Sequence, residues 1–114
     1  MNNLITTLTA IAAANPFGFT YNVEAGQIQT SGYAVALECT QNSFGLEGLE
    51  NVLSVVLSGT SGASCVGGWM DNETGLYYFD ATVIVEDRAT AIALGRLNNQ
   101  LAIFDLDTMT EIRL

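Results

Sequence analysis

The stretch SCVGGWMDNETGLYYFDATVIV at residues 64–85 decides the fold, because it carries the clearest hairpin pattern in the chain. Its middle, DNETG at residues 71–75, consists of turn-forming residues, and aromatic and β-branched residues flank it on both sides. Turn residues between two such runs are typical of two antiparallel strands joined by a short connection. We therefore predict one strand over residues 64–70 and a second over residues 76–85.

Apolar residues recur at helical spacing in three further segments, residues 4–14, 44–57 and 88–98, and predict helices there. The first helix ends at Asn15-Pro16, since the residue before a proline avoids helical backbone. The expected caps are Asn2 or Asn3 for the first helix, Gln41-Asn42-Ser43 for the second and Glu86-Asp87 for the third. The predicted buried faces are Leu4, Ile5, Leu8, Ile11 and Ala12 in the first helix, Leu49, Val52, Leu53 and Val56 in the second, and Ala89, Ile92, Ala93 and Leu97 in the third.

The remaining apolar runs predict four shorter strands, at residues 17–23, 33–39, 101–106 and 111–114. The elements then follow in the order α-ββ-α-ββ-α-ββ. This order predicts an α+β fold, with a mainly antiparallel sheet of five to six strands and three helices packed on one of its faces. No internal repeat or linker interrupts the pattern, so we predict a single domain over residues 1–114.

The charge of the chain is strongly negative and unevenly distributed. Twelve acidic residues stand against three basic ones, which gives a net charge of −9, and the sequence has no histidine. All three basic residues are arginines, and they follow residue 87, so nine carboxylates precede the first cation. A field of one sign repels nucleic acid and attracts basic partners, although excess Asp and Glu also serve solubility alone.

The two cysteines and the N-terminal segment indicate in which cellular compartment the protein is expected. Cys39 and Cys65 have neither C-x-x-C nor zinc spacing, so we predict core thiols, with a disulfide as the alternative. Residues 4–14 are apolar like a signal peptide, but the positive region that such a peptide needs is missing. No stretch reaches the roughly 20 apolar residues of a membrane span. We expect a cytoplasmic protein without a membrane partner.

The missing residue types argue against most enzyme classes. Without histidine the chain lacks the commonest general base, and without lysine it lacks a Schiff-base nucleophile. The serines lack the G-x-S-x-G pattern, and the glycine-rich residues 59–68 lack the phosphate-loop pattern. We therefore predict a protein that is not an enzyme and that uses no cofactor and no metal.

Grouped carboxylates keep one enzymatic alternative open. Asp71, Glu73 and Asp80 could serve a metal-dependent hydrolase, and Asp105 and Asp107 could face one side of a strand. The ordinary role of carboxylates in turns is to be solvated. The DNETG segment also lacks the glycine and distal glutamate positions of a calcium loop.

The aromatic residues of the hairpin and the carboxylates around them predict a binding surface. Trp69, Tyr77, Tyr78 and Phe79 either stabilise the sheet or form an interface with a charged rim. Same-face residues of a strand lie about 6.6–7 Å apart, close to the repeat of backbone phosphates, so carboxylates could imitate a nucleic-acid strand. The predicted partner-binding residues are Glu38, Glu47, Glu50, Trp69, Asp71, Glu73, Tyr77, Asp80 and Glu86.

Three segments carry a resemblance to a known group of proteins. They are TQNSFG at residues 40–45, GGWMDNETGLYYFD at residues 67–80 and QLAIFDLDTMTEIRL at residues 100–114. Over residues 18–114 the chain resembles a family of short proteins from phages and bacterial mobile elements that has no assigned activity. The resemblance implies a phage context, in which small acidic proteins often inhibit restriction or CRISPR systems. It implies no catalytic residue.

Together these observations predict an inhibitor of a host defence system, an anti-CRISPR or antirestriction protein. Its acidic face would bind a basic nucleic-acid-binding surface of a CRISPR effector or restriction enzyme, without direct contact to nucleic acid. The alternatives are the metal-dependent hydrolase and a structural module that self-associates, for example as a homodimer, through Trp69, Tyr77 and Tyr78.

Overall fold

The predicted hairpin lies at the centre of a single antiparallel sheet in a computed structural model, which describes residues 2–114. The helices and strands are α1 (Asn2–Ala14), β1 (Phe19–Asn22), β2 (Gln27–Ile28), β3 (Tyr33–Ala36), β4 (Ser43–Phe44), α2 (Gly45–Leu57), β5 (Cys65–Met70), β6 (Tyr77–Val85), α3 (Arg88–Leu97), β7 (Ala102–Asp105) and β8 (Thr110–Arg113). A short 3₁₀ helix, Glu38–Thr40, separates β3 from β4.

The hairpin itself forms as the sequence predicts. β5 and β6 pair from Cys65 opposite Thr82 to Met70 opposite Tyr77. At the turn, the Asp71 amide donates to the Leu76 carbonyl and the Gly75 amide to the Asp71 carbonyl. Gly75 has a φ of +74°, a left-handed conformation that glycine adopts without steric cost.

The sheet contains more strands than predicted, although the α+β class and the antiparallel pairing are confirmed. Its order is β2-β1-β5-β6-β3-β7-β8, and β4 pairs with the first part of β6. The additional strands β2 and β4 have two residues each, which is too short for an alternating pattern to show in the sequence.

All three helices cover the same face of the sheet. The larger core joins α1 and α2 to β1, β5 and β6, and a smaller core joins α3 to β3 and β7. Fully burying a leucine side chain contributes about 1.5–3 kcal/mol, and Leu8, Leu49 and Leu53, which are fully buried, all lie in the larger core. The largest of the side chains that are less than 2% exposed are Leu8, Leu49, Leu53, Val35, Val52, Val66, Thr40 and Cys65.

The third helix packs through a different face from the predicted one. Ala91 and Gly95 are its buried residues, whereas Leu97 is 77% exposed. A Cβ at Gly95 would lie 2.8 Å from Ile103 Cγ2 and 2.7 Å from Leu114 Cδ1, so the helix approaches the sheet too closely for a large side chain. The predicted face is right for Ile92, which packs against the smaller core together with Leu94, and wrong for Ala89, Ala93 and Leu97, which are exposed.

Two predicted strands have different bounds in the structure. Phe17 lies outside β1 and is 98% exposed, so it does not share a face with Phe19 and Tyr21 as an aromatic row would. β3 ends at Ala36, and the following 3₁₀ helix holds Cys39, which is exposed. The prediction of two core thiols is therefore right for Cys65 and wrong for Cys39, and neither forms a disulfide.

The predicted caps have mixed outcomes. Asp87 caps α3, since its Oδ2 accepts from the Thr90 amide at 2.8 Å. For α2 the predicted polar segment does not act as a cap, because the N-cap residue is Phe44 and no side chain bonds there. α1 already begins at Asn2, so the position before it lies outside the described residues.

Within residues 2–114, no helix is long and apolar enough to cross a membrane.

Candidate functional site

The face of the sheet opposite the helices is the open face. Directly paired residues of antiparallel strands share a face. On β6 the residues of this face are Tyr78, Asp80, Thr82 and Ile84, because the intervening Phe79 and Ala81 point into the core. Their partners on neighbouring strands are Trp69, Gly67 and Cys65 on β5 and Ala36 and Ala34 on β3.

The end of the open face away from the hairpin turn is closely packed. A Cβ added at Gly32, which directly precedes β3, would lie 2.8 Å from Ile84 Cγ2 on the neighbouring β6. Cys65 and Thr82 lie nearby and are buried. Burial raises the pKa of the Cys65 thiol, which keeps it protonated and makes it a poor nucleophile. The accessible part of the open face is therefore the end nearer the hairpin turn.

At that accessible end the surface forms a depression of about 300 Å³. The hairpin supplies one wall, and the segment after β3 together with Gln100 supplies the other. Its lining residues are Ala36, Leu37, Thr40, Gln41, Asn42, Trp69, Asp71, Tyr78, Phe79, Asp80 and Gln100. We call this depression the Asp80 pocket.

The carboxylate of Asp80 lies across from a glycine on the neighbouring strand. Gly67 is its pairing partner on β5, and a Cβ there would lie 2.6 Å from Asp80 Oδ1. The Thr82 hydroxyl donates a hydrogen bond to the same oxygen. Asp80 keeps some exposed surface, but protein surrounds its carboxylate on most sides. This burial raises the pKa of Asp80, and the bond from Thr82 opposes the effect only in part.

An asparagine at position 80 is expected to stabilise the protein at pH 7. The folded-state pKa of Asp80 lies above its ordinary value of 3.8. The contribution of this carboxyl to the free energy of unfolding is therefore fully present below pH 3.8. It is lost as the pH rises through the folded-state pKa. Asparagine carries no charge and can still accept the bond from Thr82.

Thermal unfolding of the wild type and Asp80→Asn at about pH 3 and pH 7 checks this expectation. The Tm of the variant should exceed that of the wild type at pH 7, and the difference should shrink at pH 3. The exposed Glu50→Gln serves as a control with the same loss of charge. A lower Tm for Asp80→Asn at pH 7 contradicts the prediction.

Three rings form an aromatic patch beside the pocket, in which Trp69 and Phe44 are exposed and Tyr78 is half-buried. Trp69 stacks on Tyr78 with a centroid distance of 5.1 Å, and Phe44 meets Tyr78 edge-on at 5.7 Å. Trp69 and Phe44 are each 46% exposed, and Leu76 adds exposed apolar surface at the same turn, whereas Met70 pairs with Tyr77 and lies on the helix-covered side. Contiguous exposed apolar surface of this kind marks binding sites more often than isolated apolar residues do.

Several predicted binding residues meet at this end of the molecule. Trp69, Asp71 and Asp80 all line the pocket. Glu73 follows in the same turn, where its amide donates to Asp71 Oδ1. Glu47 lines a second depression with Phe44, and this depression shares Asn42 with the Asp80 pocket. The aromatic patch, Asp71, Asp80 and Glu47 together form the acidic aromatic face.

Tyr77 lies away from this face. It packs against the larger core from the helix-covered side, and its hydroxyl donates to the Asn15 carbonyl at 2.7 Å. Burial raises the pKa of Tyr77 to about 12. Tyr78 takes the surface position instead. The sequence could have indicated this, because residues two apart in a strand lie on the same face and Tyr78 is two residues before Asp80.

The remaining predicted carboxylates do not continue the acidic aromatic face into a row. Glu38 accepts from Asn99 Nδ2 at 3.0 Å, beyond the wall formed by Gln100. Glu50 is exposed on α2, which covers the other face of the sheet, and Glu86 follows the far end of β6. The predicted row of seven phosphate-like carboxylates is therefore not formed. Of the seven predicted carboxylates, the open face of β6 carries only Asp80.

Three carboxylates of the hydrolase alternative accept hydrogen bonds from turn and loop residues. Asp71 Oδ2 accepts from the Thr74 hydroxyl, Asp105 Oδ1 accepts from the Asp107 amide, and Asp107 Oδ2 accepts from the Gly32 amide. Among residues 2–114, no three His, Cys, Asp or Glu side chains lie close enough together to hold a metal ion. The described structure thus does not assemble Asp71, Glu73 and Asp80 as a metal centre.

Comparison of the chain with known proteins identifies no relative. No family model, curated protein or solved structure matches the chain. The resemblance to phage and mobile-element proteins consequently stays a prediction, and the geometry of the open face carries the functional argument.

Proposed function

We propose that the protein binds a basic surface of another protein through the acidic aromatic face. The observation that carries this proposal is the stack of the exposed Trp69 on Tyr78 beside Asp80, a carboxylate that pairs with no basic side chain among residues 2–114. Aromatic anchors surrounded by polar groups are enriched at the energetic centres of protein interfaces.

The charge distribution supports a basic partner. In the part of the chain that the structure describes, the only ion pair joins Arg113 to Glu111 at 3.4 Å, far along the chain from the hairpin. The acidic side chains at the acidic aromatic face therefore keep an unneutralised field. Such a field accelerates encounter with positively charged surfaces and disfavours like-charged ones.

We propose as the target a nucleic-acid-binding groove of a bacterial defence enzyme, a CRISPR effector or a restriction enzyme, inside the host cytoplasm. Such grooves are positively charged because they bind phosphates. The sequence resemblance to phage proteins supports this choice of target, and the acidic aromatic face supplies the complementary chemistry. The protein would act as a non-enzymatic inhibitor.

Binding to purified CRISPR effectors and restriction enzymes tests the proposal. We expect saturable binding that competes with the enzyme's nucleic acid and weakens by at least about tenfold between 50 and 300 mM salt, because screening shortens the electrostatic range. Binding whose affinity does not change with salt concentration, or that does not reduce the enzyme's binding of nucleic acid, contradicts the proposal. Absence of binding to every enzyme in the panel also contradicts it.

Self-association is the second candidate, and the exposed Trp69, Met70 and Phe44 favour it. A net charge of −9 opposes it, because two copies repel each other. Light scattering at low and high salt separates the two functions. A monomer at low salt that binds basic partners supports the first, and a stable dimer that Trp69→Ala disrupts supports the second.

A further inference from the structure

The Asp80 pocket has the properties of a site for a single cationic side chain. We infer that it receives one arginine of the basic partner, with the guanidinium paired to Asp80 and its plane against the Trp69 and Tyr78 wall. This inference rests on the proposed function, since it names the partner group that enters the same face.

The size of the pocket suits one side chain. Its volume of about 300 Å³ lies at the lower limit of small-ligand pockets, which range over roughly 300–1,000 Å³. The Asp80 carboxylate occupies the space that a side chain at Gly67 would take, and Asp80 lines the pocket.

Asp80 lines the pocket and has one carboxylate oxygen that is not hydrogen-bonded. The Thr82 hydroxyl donates to Oδ1, and among residues 2–114 no group donates to Oδ2. In residues 2–114, every buried side-chain polar atom has a partner. Oδ2 must therefore be accessible from the pocket, where it can accept a hydrogen bond from an incoming donor. Burial raises the pKa of Asp80, and an entering cation would compensate this by stabilising the charged form.

The lining favours a guanidinium over other cations. The described residues offer no third carboxylate or thiolate with which to hold a metal. A guanidinium is planar, more weakly hydrated than an ammonium and able to stack on aromatic rings while donating several hydrogen bonds. Gln41, Asn42 and Gln100 add side-chain acceptors around the opening. Asp71 adds a second negative charge at the hairpin side.

Titration of the ¹⁵N-labelled protein with blocked amino acids tests the inference. The probes are N-acetyl-arginine amide, its lysine counterpart, and the citrulline counterpart, which is a neutral isostere of arginine. We expect saturable shifts at the Gly67 and Asp80 amides and at the Trp69 indole N–H with arginine. Binding should be several-fold weaker with lysine and absent with citrulline.

Variants locate the arginine site. Asp80→Asn should reduce the affinity for the arginine probe by roughly tenfold or more, since it removes a charge-assisted hydrogen bond. The control Glu50→Gln, which loses a charge on another surface, should bind like the wild type. Equal binding of arginine and citrulline, equal binding by wild type and Asp80→Asn, or no saturable shift with arginine overturns the inference.

The two proposals fail separately. If the wild type binds arginine in the pocket but no defence enzyme binds, the proposed function is wrong and the pocket assignment stands. If an effector binds in a salt-dependent manner while Asp80→Asn binds it as tightly as the wild type, the arginine pocket is wrong and the proposed function stands.

Discussion

Trp69→Ala is expected to weaken binding to the basic partner by roughly 30-fold. Truncating an aromatic anchor at the centre of an interface typically costs at least about 2 kcal/mol, and each 1.4 kcal/mol is a factor of ten in affinity. Trp69 meets the criteria for such an anchor, because it is 46% exposed and is held in one orientation by its stack on Tyr78. Calorimetric titration at one fixed salt concentration measures the change.

The matched control for this experiment is Leu97→Ala. Leu97 is also a large exposed apolar residue, but it lies on α3, on the other side of the sheet. We expect binding by this variant to remain within about twofold of the wild type. If Trp69→Ala also stays within twofold while its amide spectrum shows an intact fold, the acidic aromatic face is not the binding surface.

The regular parts of the fold could be predicted because their side chains repeat. The hairpin at residues 64–85 and the three helices carry alternation or helical spacing over many residues, and the structure has them close to the predicted bounds. The errors lie where repetition is absent. β2 and β4 are too short for a pattern, and α3 turns Ala91 and Gly95 inward because the helix lies close to β7 and β8.

The composition of the site was predictable, but its geometry was not. The sequence correctly places Trp69, Asp71 and Asp80 in one hairpin. It does not reveal which face of the sheet the helices cover, and that choice alone turns Tyr77 toward the core and Tyr78 toward the open face. The proposed row of carboxylates fails for a similar reason, since residues distant in sequence share a surface only when the strand order allows it. The position of the Asp80 carboxylate also depends on Gly67, which leaves room for it and which only the strand register pairs with Asp80.

Gly48→Ala is expected to lower the free energy of unfolding by about 1–3 kcal/mol, through overpacking where α2 meets β4. A Cβ at Gly48 would lie 2.5 Å from the Ser43 carbonyl carbon and 3.1 Å from its Cα, so backbone has to move. Helix propensity alone predicts the opposite sign, a gain of about 1 kcal/mol for alanine over glycine. The direction of the measured change in urea unfolding therefore decides which effect dominates.

The same substitution should also disturb the aromatic patch. Phe44 follows Ser43 in β4 and packs edge-on against Tyr78, which in turn stacks on Trp69. Displacing β4 would therefore alter the surroundings of Trp69, which is the only tryptophan in the sequence and so reports through its fluorescence. Ser54→Ala, at an exposed position of the same helix, is the control and should leave both stability and fluorescence nearly unchanged. A Gly48→Ala protein that is more stable than the wild type and has the same tryptophan emission would show that α2 does not hold Phe44 in place through this close contact.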